Sequence, residues 1–538
     1  MSAQFDYIII GAGSAGCVLA NRLTENGKYS VLLLEAGGSD KQFWIQTPLG
    51  YGKTFYDPSV NWMYMTEAVP GIKHQHSYWP RGKVLGGSSS INAMVYIRGQ
   101  QADFDDWQAL GNPGWGWSDV LPYFKKSETN SDGGNAYRGD RGPIYVNNVS
   151  AEYHPLCHTF IEAAKQNGFD YNPDFNGADQ EGVGFYQINT RNGKRMSTAR
   201  AYLDPARHRP NCHIETRSQV MRILFDNYCA IGVEYHQRGK TYRANANREI
   251  ILSAGAINSP QIMQLSGIGP QSLLSDYSIP IIHHAPAVGN NLQDHLAYTH
   301  YYRATVPTLN SQLSPWWGKL LAGLQYLLTR RGILSLSVNQ AGGFIKSNPA
   351  RPRPNLQLYF TAMTYSTESP GKRRLMSPDP YPGLLNSISQ LRPKSRGRLQ
   401  INSADPFKAP TIMPDYFSAE EDILEMLEGA RLLRQMAQTM PLSRVIKHEL
   451  TPGLAIDSDE ALIDDLRQRS STVFHPTSTC MMGADADKAV VNADCEVYGV
   501  RQLRIVDASI FPTLTSGNTN APTIMVAEKA ADLILDKT

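Results

Sequence analysis

Residues suited to holding a phosphate open the chain: Gly11-Ala12-Gly13-Ser14-Ala15-Gly16 follows directly on the apolar run Tyr7-Ile8-Ile9-Ile10. Gly11 permits a tight turn, Gly13 lets the backbone come up to a pyrophosphate, and Gly16 lets a following helix lie close on its strand. Ser14 and Ala15 fall at the start of that helix, read over 14–24. Free N–H groups and the positive end of the helix dipole there would face the phosphates. A second apolar run, Val31-Leu32-Leu33-Leu34, ends in Glu35-Ala36, nineteen residues after Gly16. A carboxylate at that strand end can accept from both ribose hydroxyls. The pattern binds an ADP half and does not by itself separate NAD from FAD.

Two later segments are also dense in small residues. Arg81-Gly82-Lys83-Val84-Leu85-Gly86-Gly87-Ser88-Ser89-Ser90-Ile91-Asn92 sets glycines and serines between apolar anchors, a loop able to lie flat against a planar ligand. Gly255-Ala256-Ile257-Asn258-Ser259-Pro260, running on to Ser266-Gly267-Ile268-Gly269, reads as a strand end, a turn, a short helix and a glycine stop. Thirteen histidines offer candidates for a general base, since imidazole titrates near working pH, and spacing alone selects none of them. His295 and His300 lack metal-ligand spacing and read as structural. The six cysteines form no Cys-x-x-Cys pair, so no metal site is expected and the thiols read as buried and reduced, as in a cytoplasmic protein.

These residues need a large scaffold. At roughly 100–200 residues per domain, 538 residues imply two to four units. With 41% hydrophobic and 19% charged residues the composition excludes a disordered chain, and 44 Gly and 33 Pro exclude a coiled coil. A net charge of +2 gives no basic face for nucleic acid. Residues 7–20 are apolar, but Asp6 and no Lys or Arg precede them, so no targeting segment is read there. No apolar run reaches the length of a membrane span. Within 316–338, Leu320, Leu321, Leu324, Leu327 and Leu328 repeat as on one helix face, which predicts a core-facing amphipathic helix; a membrane-surface or substrate-entry helix is the alternative. A last helix is read over 523–535, with Pro522 in its first turn and Glu528 and Lys529 exposed.

Taken together, the motifs resemble the glucose–methanol–choline (GMC) family of FAD-dependent oxidoreductases. Gly82 to Asn92 is similar to that family's first signature and Gly255 to Gly269 to its second. Gly289-Asn290-Asn291-Leu292-Gln293-Asp294-His295, Val506-Asp507-Ala508-Ser509 and Gly517-Asn518-Thr519-Asn520-Ala521-Pro522-Thr523 are similar to further family segments, so the likeness runs from Phe5 to Leu535. It implies an α/β fold. A Rossmann-like FAD-binding domain is expected from 1–150, 190–297 and 470–538, with an α+β substrate domain on an antiparallel sheet from 151–189 and 298–469. It also implies cofactor contacts from Val84, Asn92, Val95, Val220, Asp507, Ala508, Asn518 and Thr519, beside those of the Gly11–Gly16 turn, Glu35 and Ala36. Family members that attach FAD covalently do so through a histidine after the serines; Ile91 stands here, so the FAD is expected to be noncovalent.

The resemblance further implies that His475, in Ser471-Thr472-Val473-Phe474-His475-Pro476, takes the proton of an alcohol, and that Asn518 orients the alcohol oxygen. Asn520 is the lesser candidate for that second role, and either Asn could instead cap a helix. The expected activity is FAD-dependent oxidation of a primary alcohol (aliphatic, polyol or sugar-type) to the aldehyde or ketone, with electrons passed to an acceptor such as a quinone. The alternatives are a choline dehydrogenase and an oxygen-using oxidase. A cage for choline would need several rings and a carboxylate converging on one point. Trp316, Trp317, Tyr359, Phe360 and Tyr365 are aromatic candidates that sequence alone does not bring together. A cytoplasmic protein is expected, with peripheral contact at the inner membrane as the variant.

Overall fold

The computed structural model describes residues 3–366 and 377–537. Strand β1 (Ala3–Ile10) leads through the glycine turn into helix α1 (Ser14–Thr24) and then strand β2 (Val31–Glu35). The apolar runs mark these strands because residues 7–10 and Val31–Glu35 are buried on both faces, as parallel sheets between helices are. Strands β3 (Cys212–Thr216), β4 (Ser218–Asp226), β5 (Cys229–Gln237) and β6 (Lys240–Leu252) follow, then helix α2 (Gly255–Leu265). Near the C-terminus come strand β7 (Leu503–Ile505) and helix α3 (Asn520–Asp536). The sheet order is β3-β2-β1-β6-β5-β4, with β7 beside β6. Strand β6 is long enough for two tasks: its end pairs parallel with β1 and β7, while its start closes an antiparallel ladder with β5. Three distant stretches of chain thus build one sheet around the glycine turn.

A second seven-stranded sheet is wholly antiparallel. Its order is Ile446–Thr451, Leu296–Ala304, Gly383–Gln390, Leu356–Thr361, Ala341–Ile345 and Gly182–Phe185, with Ser471–Thr472 also on Leu296–Ala304. One face carries the helix Glu420–Gln438, which buries Met426, Ala430, Leu433 and Met436 in a second hydrophobic core. Tyr51, Tyr64, Val69, Ile72 and Trp79 join this core, so part of the N-terminal stretch packs on the antiparallel sheet.

Two expectations need correction. Glu528 is buried, not exposed: its carboxylate pairs with Arg22 of α1 and accepts from the Tyr202 hydroxyl at 2.8 Å, which fixes α3 across α1. The helix Trp316–Thr329 does form, but its leucine face does not meet the core. Leu320, Leu321, Leu324, Leu327 and Leu328 are all exposed, as are Trp316 and Trp317, and only Gly318 and Tyr326 are buried.

Candidate active site

A cavity of about 900 Å³ runs between the two sheets, from the glycine turn to the antiparallel strands. At the nucleotide end Gly11, Gly13, Ser14, Ala15, Glu35, Ala36 and Val220 line it. Gly11 is required by geometry, since a Cβ there, at φ +97°, would lie 2.6 Å from the Ser253 carbonyl oxygen, whereas a Cβ on Gly13 would come no closer than 3.8 Å to that oxygen. Helix α1 has no side-chain cap, so the N–H groups of its first turn stay available to an anion. Glu35 accepts from the Ala12 N–H at 2.9 Å and the Gly37 N–H at 2.8 Å, which leaves each oxygen a further lone pair toward the cavity. Burial nonetheless pushes its carboxyl up to about 7.

Gly16 and Val84 stand behind the wall rather than on it. A Cβ on Gly16 would meet the Gly11 carbonyl oxygen at 1.9 Å, so this glycine serves the helix–strand contact. Val84 is buried in a small cluster with Ile45, Val60 and Ile91. The serine-rich loop is largely self-supporting. Ser89 donates to the Gly86 carbonyl and Ser90 to the Leu85 carbonyl, and a Cβ on Gly87 would sit 2.7 Å from Gly13 Cα. Ile91, Asn92 and Val95 then face the cavity. Asp507 and Ala508 also line it, but the Asp507 carboxylate is engaged by the Gly255 N–H (2.8 Å), the Ser259 hydroxyl (2.6 Å) and the Ser509 N–H (2.8 Å). It therefore ties the start of α2 to the C-terminal stretch.

Asn518, Thr519 and Asn520 bring the uncapped start of α3 to the same cavity. Asn520 accepts from the Ser14 hydroxyl at 2.8 Å and so belongs to the glycine turn. Asn518 instead reaches His475: its Nδ2 lies 3.2 Å from His475 Nε2, while its Oδ1 accepts from Gln357 at 3.4 Å. His475 is buried at the cavity wall, on a bend where Phe474 adopts φ +69°. Asp294 holds that bend, accepting from the His475 N–H at 2.7 Å and from the Thr472 hydroxyl at 2.6 Å, with the Tyr416 hydroxyl as third donor. Arg81 donates to the Phe474 carbonyl at 2.7 Å.

His295 is the residue that spacing missed. Its Nδ1 lies 2.9 Å from His475 Nδ1, and its Nε2 lies 2.9 Å from the Leu391 carbonyl oxygen. A carbonyl only accepts, so His295 Nε2 carries a proton. Burial pushes the His295 pKa down to about 4, which keeps the ring neutral and leaves Nδ1 as an acceptor. His475 must then donate from Nδ1. Burial first, and the His295 ring and Arg81 after it, hold His475 well below its ordinary value, so it too is neutral. Its Nε2 is therefore a bare lone pair facing Asn518 and the cavity. The amide agrees independently: Gln357 donating to Asn518 Oδ1 turns Nδ2, a donor, toward that lone pair. His300, by contrast, sits in the core beside the Tyr302 hydroxyl, in keeping with a structural role.

Other predicted residues divide. Tyr359 and Tyr365 line the cavity, Phe360 packs in the core, and Trp316 and Trp317 lie on the surface. Among the described residues no cluster of His, Cys, Asp or Glu could hold a metal ion. A glycine turn suited to a pyrophosphate and a neutral histidine with its lone pair directed into the same cavity suit an enzyme that holds a dinucleotide and moves a proton beside it.

The comparisons with known proteins carry the identification further. The chain belongs to the GMC oxidoreductase family, whose N-terminal model matches residues 5–297 and whose C-terminal model matches residues 393–527. It is 42% identical to alcohol dehydrogenase [acceptor] of Pseudomonas putida, over 99% of this chain and 96% of that one. It is 41% identical to oxygen-dependent choline dehydrogenase of Vibrio vulnificus, over 100% of this chain and 95% of that one. Its fold matches an FAD-dependent oxidoreductase from Chaetomium thermophilum with a TM-score of 0.90 at 27% identity, covering 99% of both chains. The protein is an FAD-dependent oxidoreductase, and the uncapped α1 start, the Gly11–Gly13 cradle and Glu35 fit the ADP half of that cofactor.

Proposed function

We propose that this protein oxidises a neutral primary alcohol to its aldehyde, with His475 Nε2 as proton acceptor and Asn518 Nδ2 as donor to the alcohol oxygen. The observation that carries this is the chain from the Leu391 carbonyl through His295 to His475, which fixes the imidazole in the tautomer with a free Nε2. An alcohol oxygen resting on Asn518 would direct its proton at that lone pair. FAD supplies, when bound, the two-electron acceptor for the hydride leaving the alcohol carbon. As Nε2 takes up the proton, the Nδ1–H bond to His295 becomes a charge-assisted one and strengthens. Burial disfavours the resulting cation, so the same histidine returns its proton readily once product leaves.

The cavity wall favours a neutral substrate over choline. Rings are plentiful, with Tyr51, Phe55, Tyr56, Trp62, Tyr301, Tyr365 and Phe474 all on it. The carboxylate that a quaternary ammonium needs is not. Among the described lining residues the acids are Glu35 and Asp507, both at the nucleotide end and both engaged by backbone N–H groups. Away from the nucleotide end the charged lining side chains are Arg81 and Arg469, the latter paired with Asp465, while Asp294 is not among the lining residues and is taken up by the His475 N–H and the Thr472 and Tyr416 hydroxyls. Ile91, at the position where a histidine would be needed for covalent attachment, supports noncovalent FAD.

The two hydrophobic cores support a division into an FAD-binding domain (1–150, 190–297, 470–538) and a substrate domain (151–189, 298–469), with 51–79 packing against the latter. We assign the electron acceptor to the quinone class and place the protein in the cytoplasm with peripheral contact to the membrane, where such an acceptor resides. Six free cysteines, five of them buried, accord with a reducing compartment, and no described helix is long and apolar enough to cross a membrane. Anaerobic addition of 1-butanol, benzyl alcohol and choline to the holoprotein tests the substrate reading. Bleaching of the flavin by the neutral alcohols, and not by choline at equal concentration, is expected; bleaching by choline alone would contradict it.

A further inference from the structure

The helix Trp316–Thr329 is held firmly against the protein by one narrow stripe and shows solvent everything else. A Cβ on Gly318 would meet the Gln312 carbonyl oxygen at 1.9 Å, and the Tyr326 hydroxyl donates to the Gly193 carbonyl at 3.0 Å. At the helix end the Arg330 guanidinium stacks 5.0 Å from the Tyr326 ring centroid. Ala322 packs partly on the second core, and the large apolar side chains are exposed: Trp316 is 76% exposed and Leu328 82%, with Trp317, Leu320, Leu321, Leu324 and Leu327 between them. Phe43, whose ring meets Tyr326 at 6.4 Å, and Trp44 extend the patch and are exposed too. Of the 21 exposed large apolar side chains among the described residues, nine gather here, which a soluble surface does not maintain without a partner.

Charge identifies that partner. The helix and its end, Trp316 to Arg331, contain no Asp or Glu and carry Lys319, Arg330 and Arg331, whereas Lys346, Arg351 and Arg353 further on are paired with Glu181, Glu428 and Asp106. Lys319, Arg330 and Arg331 belong to the helix or its end, and Lys53 is close enough that, after burial, the Lys319 charge lowers its pKa. A second copy of this face would bring like charges together around the apolar centre. Leucines flanked by tryptophans and cations are what the headgroup layer of an anionic bilayer receives.

We propose that the helix Trp316–Thr329, with Phe43 and Trp44, is a membrane-docking face that lies in the headgroup layer of a bilayer containing anionic phospholipid. This rests on the peripheral membrane contact proposed above and assigns it a surface and a lipid chemistry. The face borders the cavity on both flanks: Tyr51, Phe55 and Tyr56 follow Phe43 and Trp44 into its wall, and Val338 and Asn339 follow the helix into it. Docking would set that wall against the lipid.

The test is vesicle co-sedimentation of the full-length holoprotein with phosphatidylcholine alone and with phosphatidylcholine containing about 30% phosphatidylglycerol. Binding is expected to the anionic vesicles and to fall with salt. The triple variant Trp316→Ser, Leu321→Ser, Leu328→Ser should lose roughly tenfold or more in partitioning with flavin content unchanged. Lys319→Glu with Arg331→Glu should lose several-fold. If the triple variant fails to hold flavin, the single Leu328→Asp decides the same point. Wild type that binds while the variants bind equally well overturns this face and leaves the membrane contact standing. Wild type that binds neither vesicle overturns both. A dimer in light scattering that the triple variant converts to monomer, with no vesicle binding, assigns the face to a second copy and overturns the proposal.

Discussion

Replacing His295 by Leu removes the acceptor for the His475 Nδ1–H without touching the cavity wall. In the native arrangement the 2.9 Å contact between the two Nδ1 atoms holds His475 in the tautomer with a free Nε2. Without it the Nδ1–H is a stranded buried donor, which costs about 1–3 kcal/mol. The ring can escape by shifting its proton to Nε2, where it opposes the Asn518 amide and is useless as a base. At about 1.4 kcal/mol per tenfold, the rate of flavin reduction by alcohol should fall roughly 5- to 150-fold. Anaerobic stopped-flow reduction over a range of alcohol concentrations separates this limiting rate from alcohol affinity, which should change little. His295→Asn, whose amide oxygen can accept from Nδ1, should recover part of the loss. A Leu variant reduced within about twofold of the wild-type rate, with flavin fully bound, would refute the tautomer reasoning.

Two further predictions concern the nucleotide end. Burial holds the Glu35 carboxyl up at about 7 in the free protein, whereas ribose hydroxyls donating to it favour the ionised form. FAD should therefore bind more tightly as pH rises toward and through 7 and should release protons on binding near pH 6.5. Calorimetry in two buffers of different ionisation enthalpy measures that release, and its absence would deny Glu35 the ribose. Gly16→Ala would place a Cβ 1.9 Å from the Gly11 carbonyl oxygen and force α1 away from β1. Overpacking of this kind costs about 1–3 kcal/mol or more, so a lower Tm and weaker flavin retention are expected in thermal unfolding. An unchanged Tm would show that the helix–strand contact has slack.

The parts of the fold governed by local chemistry were legible. Gly11 and Gly16 with the flanking apolar runs specify strand, turn and helix because only glycine fits those two close approaches, and the helix forms over 14–24 as read. Glu35 follows from the same unit. His475 was reachable only through likeness to a family, since nothing in its local spacing distinguishes it from twelve other histidines. Its supports were not legible at all: His295 lies 180 residues away in sequence and meets it only when the antiparallel sheet forms. The segment around Asp294 was recognised, but the bend it holds, from Thr472 to His475, is a tertiary contact. The helix Trp316–Thr329 shows a different limit. Leucine spacing reveals that a helix has an apolar face, and it carries no information on whether protein or something else covers that face. Glu528 shows the converse, a charged residue buried because Arg22 and Tyr202 meet it from other elements.

His475 Nε2 as the proton acceptor is tested most directly by anaerobic flavin reduction by alcohol in His475→Ala. The substitution leaves the Gly11–Gly16 turn, Glu35 and the start of α3 intact, so FAD should remain bound. The reduction rate should fall about 10²- to 10⁴-fold, the usual contribution of a positioned base. A flavin-replete variant reduced at close to the wild-type rate would contradict the account, and would mean that the alcohol proton leaves by another route.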